Sequence, residues 1–114
     1  EGHLDFSKVA KVLHNQVRAF SQWPGTWAKL VVDGHEVEIK VCSTRIGEKT
    51  DLSYSTDKII LANDALVVHC GSNTTLEILE LQIPGRRIFS ARDFWNGLTV
   101  KDVIRPSRKV ESDL

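Results

Sequence analysis

Methionine is absent from this 114-residue chain, tyrosine occurs once, proline three times and cysteine twice. Each scarcity excludes something. A chain that opens on Glu1 without any methionine reads as a piece cut from a longer polypeptide, and a piece cannot display a signal or transit segment. Cys42 and Cys70 can form at most one bridge, too little for a disulfide scaffold, and are expected as reduced, buried thiols in a reducing compartment. No apolar run approaches the roughly 20 residues of a membrane span, so no membrane partner is expected. An excess of one charge is missing too. Lys plus Arg and Asp plus Glu stand at 15 each, so attraction to a polyanion has to come from where the charges lie.

What is present begins with an amphipathic helix over residues 5–20. Phe6, Val9, Leu13, Val17 and Phe20 recur at three and four residues, while Lys8, Lys11, Gln16 and Arg18 fall mostly elsewhere. Asp5 is placed to cap its first amides, with Leu4 and Val9 as a hydrophobic staple. Trp23-Pro24-Gly25 stops it, because proline disfavours helical geometry in the residue before it.

From Trp27 the period changes. Strands are predicted over 27–32 and 35–43, joined by Asp33-Gly34, a dipeptide suited to the two-residue hairpin turn. After a polar loop over 47–57, further short strands are predicted over 58–61, 66–70, 76–83 and 88–89. Ser90 then caps a short helix over 91–96, with Gly97 as a left-handed stop. At this length residues 1–114 form a single domain, and the Pro-, Ser- and charge-rich stretch 103–114 is expected to be a loose tail. The elements add up to a mainly β, α+β architecture. It is a small open antiparallel barrel of the oligonucleotide-binding type, with an N-terminal amphipathic helix against its side and a short C-terminal helix.

No reacting centre can be assembled from the sequence. His3, His14, His35 and His69 lie 11, 21 and 34 residues apart, without ligand spacing, and no CxxC or HxxxH occurs, so neither a metal nor catalytic residues are assigned. His14-Asn15 with Asp5 is too extended along one helix to share a reacting atom, and Glu77 and Glu80 fall on opposite faces of a strand. Trp23, Trp27 and Trp95 are read as core rather than as stacking platforms. Charge distribution is what survives. Between Pro84 and Lys109 seven basic residues face two acidic ones, a net of about +5. Arg86-Arg87 follow a Pro-Gly corner, Arg18 points off the apolar face of the helix, and Lys40 can extend the patch. The reading is an electrostatic grip on nucleic-acid phosphates rather than on bases.

Three stretches carry a family resemblance: Asp5-Phe6 through Arg18-Ala19-Phe20 to Trp23-Pro24-Gly25-Thr26; Leu76 through Gln82 followed by Pro84-Gly85-Arg86-Arg87; and Ser90-Ala91-Arg92-Asp93-Phe94-Trp95-Asn96-Gly97. In combination the chain resembles the C-terminal domain of methionyl-tRNA formyltransferases. The resemblance implies a monomeric tRNA-binding domain that positions initiator methionyl-tRNA in translation initiation. A Rossmann-like N-terminal domain of the same polypeptide would carry the catalytic residues and use 10-formyltetrahydrofolate as formyl donor, with no cofactor in this domain. It matches the family's basic pair to Arg86 and Arg87 and its helix arginine to Arg18. Lys40, Lys101 and Arg105 complete the nucleic-acid-binding set. It also implies a mitochondrial or other organellar location in a eukaryote and a cytoplasmic one in a bacterium. The chain departs from the family pattern between Arg45 and Lys58, and again after Gly97. An accessory domain that touches no nucleic acid, in a sugar-nucleotide formyltransferase or a formyltetrahydrofolate dehydrogenase or hydrolase, remains the alternative.

Overall fold

The computed structural model describes residues 2–20, 25–47 and 57–105. Its elements are α1 (Ala10–Ala19), β1 (Thr26–Val32), β2 (His35–Ile46), β3 (Ile60–Ala62), β4 (Ala65–Cys70), β5 (Thr74–Gln82), β6 (Ile88–Ser90), α2 (Ala91–Asn96) and β7 (Val103–Ile104). The strands run antiparallel in the order β3-β4-β5-β2-β1-β7, with β6 paired to the C-terminal half of β5. The two ends of that path meet. Lys58 bridges Ile104, Ile59 N–H donates to the Val103 carbonyl at 2.8 Å, and Arg105 N–H donates to the Asp57 carbonyl at 2.8 Å. The sheet therefore curls almost to closure, leaving few unpaired edges in a molecule too small to cover them otherwise. This is the small α+β barrel that the strand spacing predicts.

The core follows from strand alternation. Ala28, Leu30 and Val32 on β1, Ile39 and Val41 on β2, Leu66 and Val68 on β4, and Leu76, Ile78 and Leu81 on β5 point into the barrel. Ala10, Leu13 and Val17 present one face of α1 to β2 and β5. Asp33 and Gly34 both adopt positive φ, 50° and 86°, the conformation that a twisted two-residue turn demands. Ser90 caps α2 as expected, its hydroxyl accepting from the Asp93 N–H at 3.1 Å. Ser90→Ala is expected to cost about 1 kcal/mol and lower the melting temperature by a few degrees. An unchanged thermal transition would show that this cap contributes nothing.

Four expectations need correction. The helix starts at Ala10, not Asp5. The Asp5 carboxylate instead accepts from the Ser7 N–H and hydroxyl at 3.0 and 2.7 Å in a local turn, and the Ala10 N–H is capped by the Thr74 hydroxyl at 2.9 Å, from 64 residues away. Gly97 has a φ of −82°, so the stop after α2 is not left-handed. Val103 and Ile104 do not begin a tail, because they pair with Val32 and Val31 and Val103 is buried. Residues expected in the core are partly exposed: Cys42 and Cys70 are free but only half-buried, and Trp27 lies half-buried on the outer face of β1, whereas Trp95 packs against the core. Trp23, Pro24, the loop residues 48–56 and the stretch 106–114 lie outside the described residues.

Candidate nucleic-acid interface

Register, rather than sequence proximity, decides which cations meet. On β2, Lys40 stands opposite Trp27 of β1 on one side and Gln82 of β5 on the other, and Gln82 in turn stands opposite Ile88 of β6. Directly opposed residues share a face, with Cβ atoms about 4.5–5.5 Å apart, so Trp27, Lys40, Gln82 and Ile88 form one row across the outside of the barrel. The Gln82 amide donates to the Arg86 carbonyl at 2.7 Å, and the Arg86 N–H to the Ile83 carbonyl at 2.9 Å. Together they fix the β5–β6 turn beside that row. Gly25 makes room for the Lys40 stem: a Cβ there would stand 2.5 Å from Lys40 Cε, and its φ is +91°.

Arg18 reaches the same surface from α1. It lines a cleft with Val17 and with Cys42, Ser43 and Thr44 of β2, and Cys42 is two residues, or about 7 Å, along the strand from Lys40. The Thr44 hydroxyl is held at 2.8 Å from His14 Nδ1, which ties the helix to this part of β2. Arg18 and Lys40 thus border adjoining stretches of β2, the Arg86 backbone is tied to the residue opposite Lys40, and no carboxylate among the described residues is paired with any of the three. Other arginines are neutralised. Arg45 binds Glu77 at 2.6 Å, Arg92 binds Asp64 at 2.5 Å and Arg105 binds Asp57 at 3.0 Å.

The remaining candidates diverge. Arg87 lies over the Phe89 ring, 4.4 Å from its centroid. Phe89 opposes Leu81, so this contact is on the other face of the hairpin from Gln82 and Ile88. Lys101 donates to the Leu98 carbonyl at 2.8 Å. It sits beside the β1–β2 turn, because Asp33 Oδ1 accepts from the Asp102 N–H at 2.9 Å and Asp33 Oδ2 from the Val100 N–H at 3.3 Å. Those amides, the Asp102 one foremost, hold the Asp33 carboxyl below its ordinary pKa. Lys40 is six steps along the strand from Gly34, a path of about 20 Å, so Lys101 sits at the far end of β2 from the row. Arg105 is spent on Asp57 and lies beyond β1, beside His69, whose pKa is lowered mainly by burial and further by that guanidinium.

Nothing in the titration behaviour marks a reactive nucleophile. Burial pushes the Cys42 thiol up and the Cys70 thiol to about 11, the reverse of an activated cysteine. No group of three or more His, Cys, Asp or Glu is arranged to hold a metal ion among the described residues. Sequence reasoning missed Gln82 and the Cys42-Ser43-Thr44 segment. The signal available was the end of apolar alternation after Val41.

Comparison with known proteins gives this surface a context. Residues 1–99 match the family described as formyl transferase, C-terminal domain. The chain is 31% identical over 105 residues to a protein of Geobacter metallireducens named methionyl-tRNA formyltransferase, covering 92% of this chain and 32% of that protein. It is 31% identical over 100 residues to one of the same name from Koribacter versatilis, covering 85% and 29%, and 29% identical over 103 residues to one from Bartonella henselae, covering 90% and 32%. The chain spans about a third of the length of these relatives. With a barrel, a flanking helix and the matched residues all in place, the chain belongs to the family of formyl transferase C-terminal domains.

Proposed function

We propose that this domain grips the phosphate backbone of initiator methionyl-tRNA while another domain of the same polypeptide, N-terminal to it and Rossmann-like, transfers a formyl group from 10-formyltetrahydrofolate. The observation that carries the reading is that Arg18, Lys40 and Arg86, whose backbones register and hydrogen bonding bring to one stretch of β2 and β5, have no carboxylate partners among the described residues, whereas Arg45, Arg92 and Arg105 are each paired. The relatives' name supplies the substrate class. A guanidinium or ammonium on a half-exposed sheet face attracts phosphate without distinguishing bases, which suits a domain that positions a substrate for chemistry performed elsewhere.

Three phosphate contacts release counterions on binding. The logarithm of the affinity should therefore fall against the logarithm of salt with a slope of about −2 to −3. Fluorescence anisotropy of labelled tRNA titrated with the 114-residue chain between 50 and 200 mM KCl measures it. Binding that ignores salt, or no binding at the lowest salt, removes the reading and leaves an accessory domain of a formyltransferase acting on another substrate.

A further inference from the structure

Helix α1 ends against a defect in the sheet. The β2–β5 ladder runs from Lys40↔Gln82 to Val41↔Leu81, then jumps to Ser43↔Glu80 and again to Thr44↔Ile78. Cys42 has no opposite residue on β5 and Leu79 has none on β2, so two single-residue irregularities of opposite sense fall side by side. Such a bulge takes a residue out of the ladder and re-aims the side chains around it. Here it borders the open cleft of about 290 Å³ walled by Val17, Arg18, Cys42, Ser43 and Thr44.

The polar groups around the cleft divide into committed and uncommitted. Thr44 is bonded to His14, and the Cys42 thiol donates to the Lys40 carbonyl at 3.7 Å. The Arg18 guanidinium and the Ser43 hydroxyl make no hydrogen bond or ion pair among the described residues. A fork of guanidinium donors beside a hydroxyl is a donor set that suits a phosphate, and Lys40 stands one β-repeat away to take the next charge. Glu80, exposed and opposite Ser43, opposes an anion here and so provides a sensitive test.

We propose that this cleft is a phosphodiester subsite for an RNA backbone, in which Arg18 and the Ser43 hydroxyl donate to one phosphate while Lys40 and Arg86 hold its neighbours; this rests on the function proposed above. Removing Arg18 would then remove one charged contact, removing the Ser43 hydroxyl would remove an uncharged one, and neutralising Glu80 would strengthen the site.

The test uses the whole chain with tRNA and, separately, inorganic phosphate, followed by anisotropy and by the backbone amide resonances of Cys42, Ser43 and Thr44. Arg18→Gln should weaken tRNA binding about tenfold and reduce the salt slope by about 0.7–0.9, whereas Ser43→Ala should weaken it about threefold and leave the slope unchanged. Glu80→Gln should tighten it about threefold. Glu36→Gln makes the same charge change about 23 Å away along β2 and should leave affinity nearly unchanged. Circular dichroism confirms that each variant folds. If tRNA binds with steep salt dependence while Ser43→Ala and Glu80→Gln are silent and the three amides do not move, the subsite is wrong and the RNA-binding face stands. Equal tightening by Glu36→Gln also overturns it, since net charge alone would then be acting. Amides that respond to inorganic phosphate in a chain that binds no tRNA overturn the assignment to RNA, and silence toward both probes removes the subsite together with the function.

Discussion

Gly71→Ala is expected to lower the melting temperature by about 10–15 °C, the largest stability loss from any single added methyl in this fold. Gly71 closes β4 and receives the N-terminal segment, its N–H donating to the Lys8 carbonyl at 2.9 Å. A Cβ at this position would collide with the Ser7 carbonyl oxygen and stand 3.0 and 3.1 Å from the carbonyl carbons of Ser7 and Lys8. These are backbone atoms that cannot rotate aside. The segment also carries Leu4 and Phe6 into the core, and the Thr74 hydroxyl that caps α1 is itself held by donating to the Gly71 carbonyl at 2.6 Å. Displacing the strap therefore loosens the helix as well, for a total of about 3 kcal/mol. Gly34→Ala makes an informative comparison, since a Cβ at Gly34 meets nothing within 4 Å and costs only what its φ of +86° imposes. A Gly71→Ala melting temperature within about 2 °C of the parent would mean that the strap yields freely and the contact is not structural.

How much of this could be read in the sequence depended on whether the deciding interaction was local. The Asp33-Gly34 turn and the Ser90 cap are contained within four residues, and both stand where the residue types require. The start of α1 was not legible, because its cap is Thr74, and a hydroxyl 64 residues away leaves no mark on the periodicity of the helix. Strand β7 was missed for a related reason. Two residues show no alternation, and Val103 and Ile104 become a strand only because β1 offers an open edge and Lys58 waits on the other side. The site divides in the same way. Arg18 and Arg86 stood out by their placement beside an apolar face and a Pro-Gly corner, yet what ties the Arg86 turn to Lys40 is Gln82 lying opposite that lysine, a matter of register. Counting basic residues along the chain grouped Arg105 and Lys101 with Arg86. The barrel separates them, because β7 returns to β1 while the Asp33 carboxylate draws residues 100–102 to the far end.

The combined variant Arg18→Glu, Lys40→Glu, Arg86→Glu should lose tRNA binding by more than about 100-fold at 50 mM salt while keeping the parent's thermal stability. Each side chain leaves its charge on the surface without a carboxylate among the described residues, so reversing it breaks no ion pair within that part of the fold. Each reversal removes one phosphate contact and places a carboxylate where the phosphate would lie. At about 1–1.5 kcal/mol apiece after allowance for exposure, three contacts amount to about 3–4 kcal/mol, or two to three orders of magnitude in affinity. The salt slope should fall from about −2 to −3 toward zero, because no counterions remain to be released there. Net charge is controlled by Lys8→Glu, Lys11→Glu, Lys101→Glu, which alters the total equally at exposed positions, with Lys11 two turns of α1, about 10.5 Å, from Arg18. That control should stay within about fivefold of the parent, since charges beyond a Debye length of roughly 8–10 Å are largely screened. If both triple variants lose binding to the same extent, attraction is set by the molecule's total charge and the grouped face has no special role. If only the first does, the register that aligns Lys40 with Gln82 is what converts a chain of zero net charge into a binder of polyanions.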